Sequence, residues 1–194
     1  PYTTLFRSIQ QQELDDKEII CVEDASKDRT LRIIEKYADM DDCIRLINND
    51  VNHGAAYSRN IGIKESKGKY IIIIDGDDCL EKESLEKMYR VSEANELDLL
   101  TFSGESFVDE ELKEEKKWKV RENIYERRGR YQGVYTGCDL FSEFMKNQDI
   151  TGNLYLQFVR RQLIDENNIY KNEDIRYGDD SPFSIYMAAK RAVF

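Results

Sequence analysis

The stretch Tyr70-Ile71-Ile72-Ile73-Ile74-Asp75-Gly76-Asp77-Asp78 sets an unbroken apolar run against three carboxylates within four positions. Four consecutive β-branched residues, apolar toward both faces, are the pattern of a strand covered on both sides in a parallel sheet. In open α/β sheets ligands collect beyond the carboxyl ends of such strands, so three acids placed there point to a cation or a cation-bridged phosphate. The same acids have a plainer use, because Asp77 and Asp78 can also open the next helix as capping residues.

Outward from this run, strand and helix patterns alternate. Leu5, Phe6 and Ile9 keep helical spacing, which predicts a helix running to about Gln12 with no strand before it. Glu18 to Glu23 reads as a short buried strand, and Asp24-Ala25-Ser26 leads into a helix from about Asp28 to Tyr37. Ile44 to Ile47 is a second strand. The polar loop Asn48-Asn49-Asp50-Val51-Asn52 then delivers the chain to Gly54 and a helix reaching about Ser66. Beyond the acids, Lys82 to Asn95 is helical and Leu97 to Phe102 is another buried strand. This alternation predicts βαβ units and a mainly parallel sheet flanked by helices.

The second half is less regular. Residues 105–130 carry both charge signs densely, with Trp118, Val120 and Ile124 among them, and read as an exposed ribbon within the same domain. Asp139 to Lys146 and Arg160 to Asn167 look helical, Leu154 to Val159 is apolar, and Asn172 to Tyr177 is an extended approach to Gly178-Asp179-Asp180-Ser181-Pro182. A last helix is expected from Pro182 to about Arg191, with proline in the first turn where its missing N–H costs nothing.

Composition narrows the function classes. A chain of 194 residues, 40% hydrophobic, suits one domain with a sizeable core. No apolar run approaches the roughly 20 residues of a membrane helix, and Pro1-Tyr2-Thr3-Thr4 lacks the pattern of a signal peptide, so the expected setting is cytoplasmic, peripheral to a membrane at most. A net charge of -10 argues against a nucleic-acid surface, which is held mainly by Lys and Arg. Cys21, Cys43, Cys79 and Cys138 are scattered, as expected of reduced thiols. His53 is the one histidine, and its Asn52-His53-Gly54 setting suits a loop turn better than a catalytic dyad.

Four segments together resemble a glycosyltransferase of the GT-A fold, similar to the large family 2 of inverting enzymes. Glu18 to Asp28 resembles that family's strand and Asp-Asp-Gly-Ser turn, and Asn52 to Gly62 its Gly-x-x-x-Ala-Arg-Asn helix start. Gly68 to Asp78 resembles its strand ending in Asp-x-Asp-Asp, and Tyr177 to Phe183 the Glu-Asp-x-x-Phe segment that supplies the base. The resemblance implies one Rossmann-like domain over residues 1–194, with residues 1–103 as a nucleotide-binding half and 104–194 as an acceptor-side half. It also implies a missing first strand, normally placed between the strands at Glu18 to Glu23 and at Lys69 to Asp75. The expectation is then a gap in mid-sheet and a fragment incomplete at both ends.

The implied reaction moves a sugar from a nucleotide-sugar donor, UDP-linked by expectation, to a hydroxyl of a glycan or lipid-linked glycan, as in surface polysaccharide synthesis. Expulsion of a diphosphate calls for a divalent metal, and oxygen ligands suit Mg or Mn. Asp75 and Asp77, two positions apart, share a face about 7 Å apart at the backbone while the chain stays extended. By resemblance Asp77 is the main metal ligand, Asp75 faces the ribose or metal, and Asp78 supports. Donor nucleotide contacts fall to Asp24, Glu23, Ser26, Arg59, Asn60 and Asp75, with Asp24 accepting from the base and Arg59 meeting the diphosphate. Asp180 is the implied base and Asp179, where the family has Glu, its support. Asp24 or Ser26 could instead cap the following helix, Arg59 could be a solvated surface arginine, and the Asp179-Asp180 pair could cap the last helix. A non-catalytic nucleotide-sugar or metal-binding module, or an inactive fragment, is the rival reading. An EF-hand loop fits the glycine spacing poorly, and the glycine-rich loop of a nucleotidyltransferase is not visible.

Overall fold

The computed structural model describes residues 2–104, 131, 133–148, 156–174 and 183–193. In chain order these form α1 (Tyr2–Gln10), β1 (Ile19–Glu23), α2 (Thr30–Ala38), β2 (Ile44–Asn48), α3 (Ala55–Glu65), β3 (Tyr70–Ile72) and α4 (Ser84–Ala94). They continue as β4 (Leu99–Thr101), α5 (Gly137–Lys146), β5 (Gln157–Arg160), α6 (Arg161–Asn167), α7 (Phe183–Ala188) and β6 (Ala192–Val193). The ribbon expected over 105–130 lies outside the described residues, as do Asp179 and Asp180.

The strands form two sheets. β1 and β2 pair in parallel, from Ile19 opposite Ile44 to Glu23 opposite Asn48, with α2 as the crossover. The second sheet has the order β3-β5-β4-β6. There β4 and β6 are parallel, while β5 runs antiparallel to both its neighbours. Parallel pairing of the expected kind thus holds for β1–β2 and β4–β6. The two strands from the second half build into the sheet begun by β3 and β4, so the halves share one framework.

Between the sheets lies a cavity of about 610 Å³, lined on one side by Ile19 to Val22 and on the other by Tyr70 to Ile74. This is the position of the gap expected in mid-sheet. Its presence corrects the reading of the Ile run. Only Tyr70, Ile71 and Ile72 pair as β3, and Ile71 to Ile74 are half-buried instead of covered on both faces, because one edge of the run opens on the cavity.

Contacts across the cavity tie the sheets together. The Glu18 carboxylate, just before β1, accepts hydrogen bonds from the amides of Lys67 and Gly68, just before β3, the latter at 2.8 Å. The edge strands therefore start side by side. Both finish near α3, where Asp24 meets its N-terminus and Asp75 meets Arg59, so they run in the same direction. Beneath them α1 spans the gap. Phe6 stacks on Tyr37 of α2 at 4.4 Å and buries against Ile34 and Ile44. On the other side Gln12, 3% exposed, donates to Glu81 O and accepts from Leu85 N at 3.0 Å.

The remaining core is in two further clusters. Leu85, Met88, Leu97, Leu100 and Phe158 pack α4 on one face of the second sheet. Leu99, Leu140, Phe144, Val159 and Tyr186 fill the space beneath α5, α6 and α7. Thr136 caps α5 by accepting from Asp139 N at 3.1 Å, so the helix starts two residues before its expected bound at Asp139. The last helix is shorter than expected, ending at Ala188, because Ala192–Val193 leave it to pair with β4.

Candidate functional site

The open end of the cavity is where the chemistry-bearing residues gather. Asp24, Asn52, Ser58, Arg59, Asp75 and Gly76 all line it. These come from the end of β1, the loop before α3, the first turns of α3 and the chain leaving β3. Beyond Ile72 the chain turns, with Asp78 N donating to Asp75 O at 3.1 Å, which folds the three acids back on one another. Asp77 is exposed and Asp75 and Asp78 are half-buried. Burial raises the Asp78 carboxyl above the usual carboxylate range, and the charges of Asp77 and then Asp75 push in the same direction. The three carboxylates are hard oxygen donors of the chemical type a divalent cation takes, but they are not gathered into one group that holds an ion. Among the described residues no three His, Cys, Asp or Glu side chains are arranged to enclose a metal ion by themselves.

Arg59 is paired. Its Nη2 donates to Asp75 Oδ1 at 3.0 Å, and its side chain is only 16% exposed, so the reading of a solvated surface arginine does not hold. The pair joins α3 to the acidic turn.

Asp24 holds the loop before α3. Its Oδ1 accepts from Asn49 Nδ2 at 2.8 Å and from His53 N at 3.0 Å, and its Oδ2 accepts from Gly54 N at 2.7 Å. Its own carbonyl accepts from Asn52 Nδ2 at 2.8 Å. Gly54, at φ 93°, is the N-cap residue of α3 and brings no capping side chain, and the Asp24 carboxylate, just beyond β1, takes up its otherwise unpaired amide from across the fold. Burial works to raise the Asp24 pKa, but the donors from His53, Asn49 and Gly54 outweigh it and set the carboxyl below its ordinary value. The Ser58 hydroxyl lies near enough to add to that effect, although it makes no hydrogen bond of proper geometry. Asp24 therefore caps α3, not the helix that follows it.

Two expected donor contacts, Glu23 and Asn60, have their side chains engaged elsewhere, and Ser26 gives its backbone amide to the first of them. Glu23 is 3% exposed and its carboxylate accepts from Ser26 N at 2.8 Å, closing the turn after β1. Neither Ser26 nor Asp24 caps α2, since Asp28 accepts from Thr30 N at 2.9 Å there. Asn60 is 2% exposed, does not line the cavity, and is bonded to Lys171 and Glu173. The physical reason is the helical turn: Arg59 and Asn60 are neighbours in α3 and so face about 100° apart.

The residues that sequence reading passed over are Asn49, Asn52, Glu18 and Glu173. Their signal was weak, because each acts through a partner at least 25 positions away in the chain. His53 stacks on Tyr57 at 4.2 Å. The four cysteines are free thiols, and burial pushes Cys21 up to about 11, so it is unreactive at neutral pH. No described helix is long and apolar enough to cross a membrane.

Comparison with known proteins agrees with this architecture. The chain is 32% identical over 181 residues to an uncharacterized glycosyltransferase, EpsJ, of Bacillus subtilis strain 168, covering 92% of this chain and 49% of that protein. It is 28% identical over 183 residues to the cholesterol galactosyltransferase of Borreliella burgdorferi, covering 94% of this chain and 51% of the relative. The chain thus spans about half the length of the curated relatives it matches. In three dimensions it is similar to residues 1–349 of S. aureus TarS in complex with UDP, with a TM-score of 0.78 and 24% identity over all of this chain and 53% of that one. It is also similar to the mannosyltransferase PcManGT of Pyrobaculum calidifontis in complex with GDP-Man and Mn2+, with a TM-score of 0.66 and 15% identity over 99% of this chain and 50% of that one. These neighbours show a GT-A-type α/β fold. Residues 3–150 match the family profile described as glycosyl transferase family 2, and with that match the chain belongs to this family of enzymes.

Proposed function

We propose that this chain carries the donor-binding and catalytic part of an inverting transferase that moves a sugar from a UDP-linked donor to an acceptor hydroxyl. The observation that carries the reading is the convergence of Asp75, Arg59 and the Asp24-held loop on one open end of the cavity, with Asp77 and Asp78 in the turn beside it. UDP and GDP-Man complexes among the structural neighbours support a nucleotide-sugar donor. The Mn2+ in one of those complexes, and the all-oxygen donor set here, support a divalent metal held by Asp77 with Asp75 and Asp78. When bound, such a metal stabilises the charge that develops on the departing diphosphate.

The chain's own residues supply the rest. Arg59 stands 3.0 Å from Asp75 and offers charge-assisted donors to a diphosphate drawn to that turn. Asp24 keeps the loop before α3 closed and has acceptor capacity left for a ring N–H. Asp180, supported by Asp179, takes the proton from the acceptor hydroxyl as its oxygen attacks the anomeric carbon. The bond to the diphosphate breaks on the opposite side, which inverts the centre in one step. A relative named poly(ribitol-phosphate) beta-glucosyltransferase, 38% identical over 86 residues, supports a glycan or lipid-linked glycan as the acceptor.

The test is a panel of UDP-Glc, UDP-Gal, UDP-GlcNAc and GDP-Man with Mn2+, run on the intact protein with Asp77→Asn and Asp180→Asn beside it. Transfer or donor hydrolysis that Asp77→Asn and Asp180→Asn both abolish, with UDP binding retained in Asp180→Asn, supports the reading. Activity indifferent to Asp77→Asn removes the metal assignment. UDP binding without turnover leaves a non-catalytic binding module.

A further inference from the structure

Asn60 is a polar residue in an apolar stripe. Ala56, Asn60 and Ile63 are the buried positions of α3 and repeat at helical spacing, so pattern alone marks position 60 as a place for an aliphatic side chain. Its amide is instead fully used. Nδ2 donates to Lys171 O at 3.0 Å and to Glu173 Oε1 at 2.8 Å, and Oδ1 accepts from Lys171 N at 2.8 Å. A buried amide with both ends satisfied by one distant segment fixes that segment in one register, since any slip leaves the buried Asn60 amide unpaired. The segment follows α6 and precedes, by six and seven positions in the chain, Asp179 and Asp180. The preceding residue of α3, Arg59, holds Asp75.

We propose that Asn60 is a positioning residue of the transfer reaction. It pins the chain at Lys171 and Glu173 to α3, and so fixes where the chain beyond α6 stands relative to the turn that Arg59 holds. Asn60 touches neither donor nor acceptor. It acts through the backbone it holds, and this differs from the donor contact that its place beside Arg59 suggests. The inference rests on the transferase reading above and extends it to the relation between the two sides of the site.

The experiment uses the intact protein and three substitutions, Asn60→Ala, Asn60→Asp and Asn60→Asp combined with Glu173→Gln. Asn60→Asp keeps the shape but sets a carboxylate against Glu173 and against the Lys171 carbonyl. Adding Glu173→Gln returns a donor opposite it. The expected result has UDP affinity within about two-fold of the unsubstituted protein in every variant, while kcat falls by about ten-fold or more in Asn60→Ala and further in Asn60→Asp. The Glu173→Gln addition recovers part of the Asn60→Asp loss, and the Lys171 amide loses hydrogen-exchange protection in Asn60→Ala. A kcat unchanged by Asn60→Ala, or UDP affinity lost in step with kcat, overturns the proposal. So does failure of Glu173→Gln to recover any activity in Asn60→Asp. If the unsubstituted protein turns over no nucleotide sugar, the transferase reading fails and takes the proposal with it, so the two failures are distinguished by that control.

Discussion

Arg59 Nη2 lies 3.0 Å from Asp75 Oδ1, and this one contact joins the helix after the second strand to the acidic turn after the third. Because the Arg59 side chain is mostly shielded, the pair is held more firmly than a surface ion pair. On the proposed reaction, Arg59→Ala is expected to lower kcat/KM for the sugar nucleotide by about 10- to 100-fold, the range of lost hydrogen bonds to charged groups. Arg59→Lys should recover little, since a lysine cannot span carboxylate and phosphate with one planar fork. The double variant with Asp75→Asn should be no worse than the more damaged single variant, because the two side chains act as a unit. Steady-state kinetics of the four proteins checks this, and strictly additive losses would show that they act independently.

Asp24 gives a pH signature. Its folded-state pKa is depressed by the His53 and Gly54 amides and by Asn49 despite burial acting the other way. A depressed carboxyl contributes stability above its ordinary pKa and loses that contribution as pH falls through the folded value. Asp24→Asn should therefore cost about 1 kcal/mol at neutral pH, the scale of a lost helix cap. The difference should shrink as pH falls through the depressed folded-state pKa, where the carboxyl takes up its proton and both proteins become uncharged at this position. Urea unfolding at a series of pH values measures it, and a gap that persists in acid would reject the capping role.

Much of the first hundred residues was legible because their periods are unambiguous and their connections short. The helices around Leu31, Ile34 and Tyr37 and around Leu85 and Met88 stand within about two residues of their expected bounds. What could not be read was pairing across the chain. Nothing local in Gln157-Phe158-Val159-Arg160 says that it will insert antiparallel between β3 and β4, or in Ala192-Val193 that it will leave a helix to join the same sheet. The acids after the Ile run were visible as a site, but the direction of each polar side chain was not. Glu23 and Asn60 belong to motifs that suggest a ligand, yet their side chains close a turn and clamp a segment.

Gly137 sits where α5 meets α7 at backbone distance. A Cβ built there would stand 2.1 Å from the Tyr186 carbonyl oxygen and 2.9 Å from its carbon. The obstacle is main chain, and the Gly137 amide is itself bonded to Ala189 O at 3.0 Å, so neither side can move without breaking the contact. Gly137→Ala should destabilise the fold by about 1 to 3 kcal/mol, the range for overpacking, despite alanine's better helix propensity. Chemical denaturation is the direct measurement. A neutral or stabilising result would mean that α5 and α7 do not pack this closely.

Gln12 is the test of how the two sheets are held together. Its buried amide donates to Glu81 O and Ser8 O, each at 2.9 Å, and accepts from Leu85 N at 3.0 Å, in the first turn of α4. That helix has Glu83 at its N-cap in a left-handed conformation with no capping side chain of its own, so Gln12 takes up a donor that the helix would otherwise leave unpaired. Gln12→Leu fills similar space but strands the Leu85 amide in a dry site, which costs about 1 to 3 kcal/mol. Gln12→Glu keeps the acceptor but sets a buried charge against the Ser8 and Glu81 carbonyls, and should cost at least as much as Gln12→Leu above the carboxylate pKa. Hydrogen exchange locates the effect, since the loss of protection should appear first in α4, as expected of a contact that bridges α1 to the second sheet. Uniform loss across both sheets would show instead that α1 supports the whole fold and not this junction.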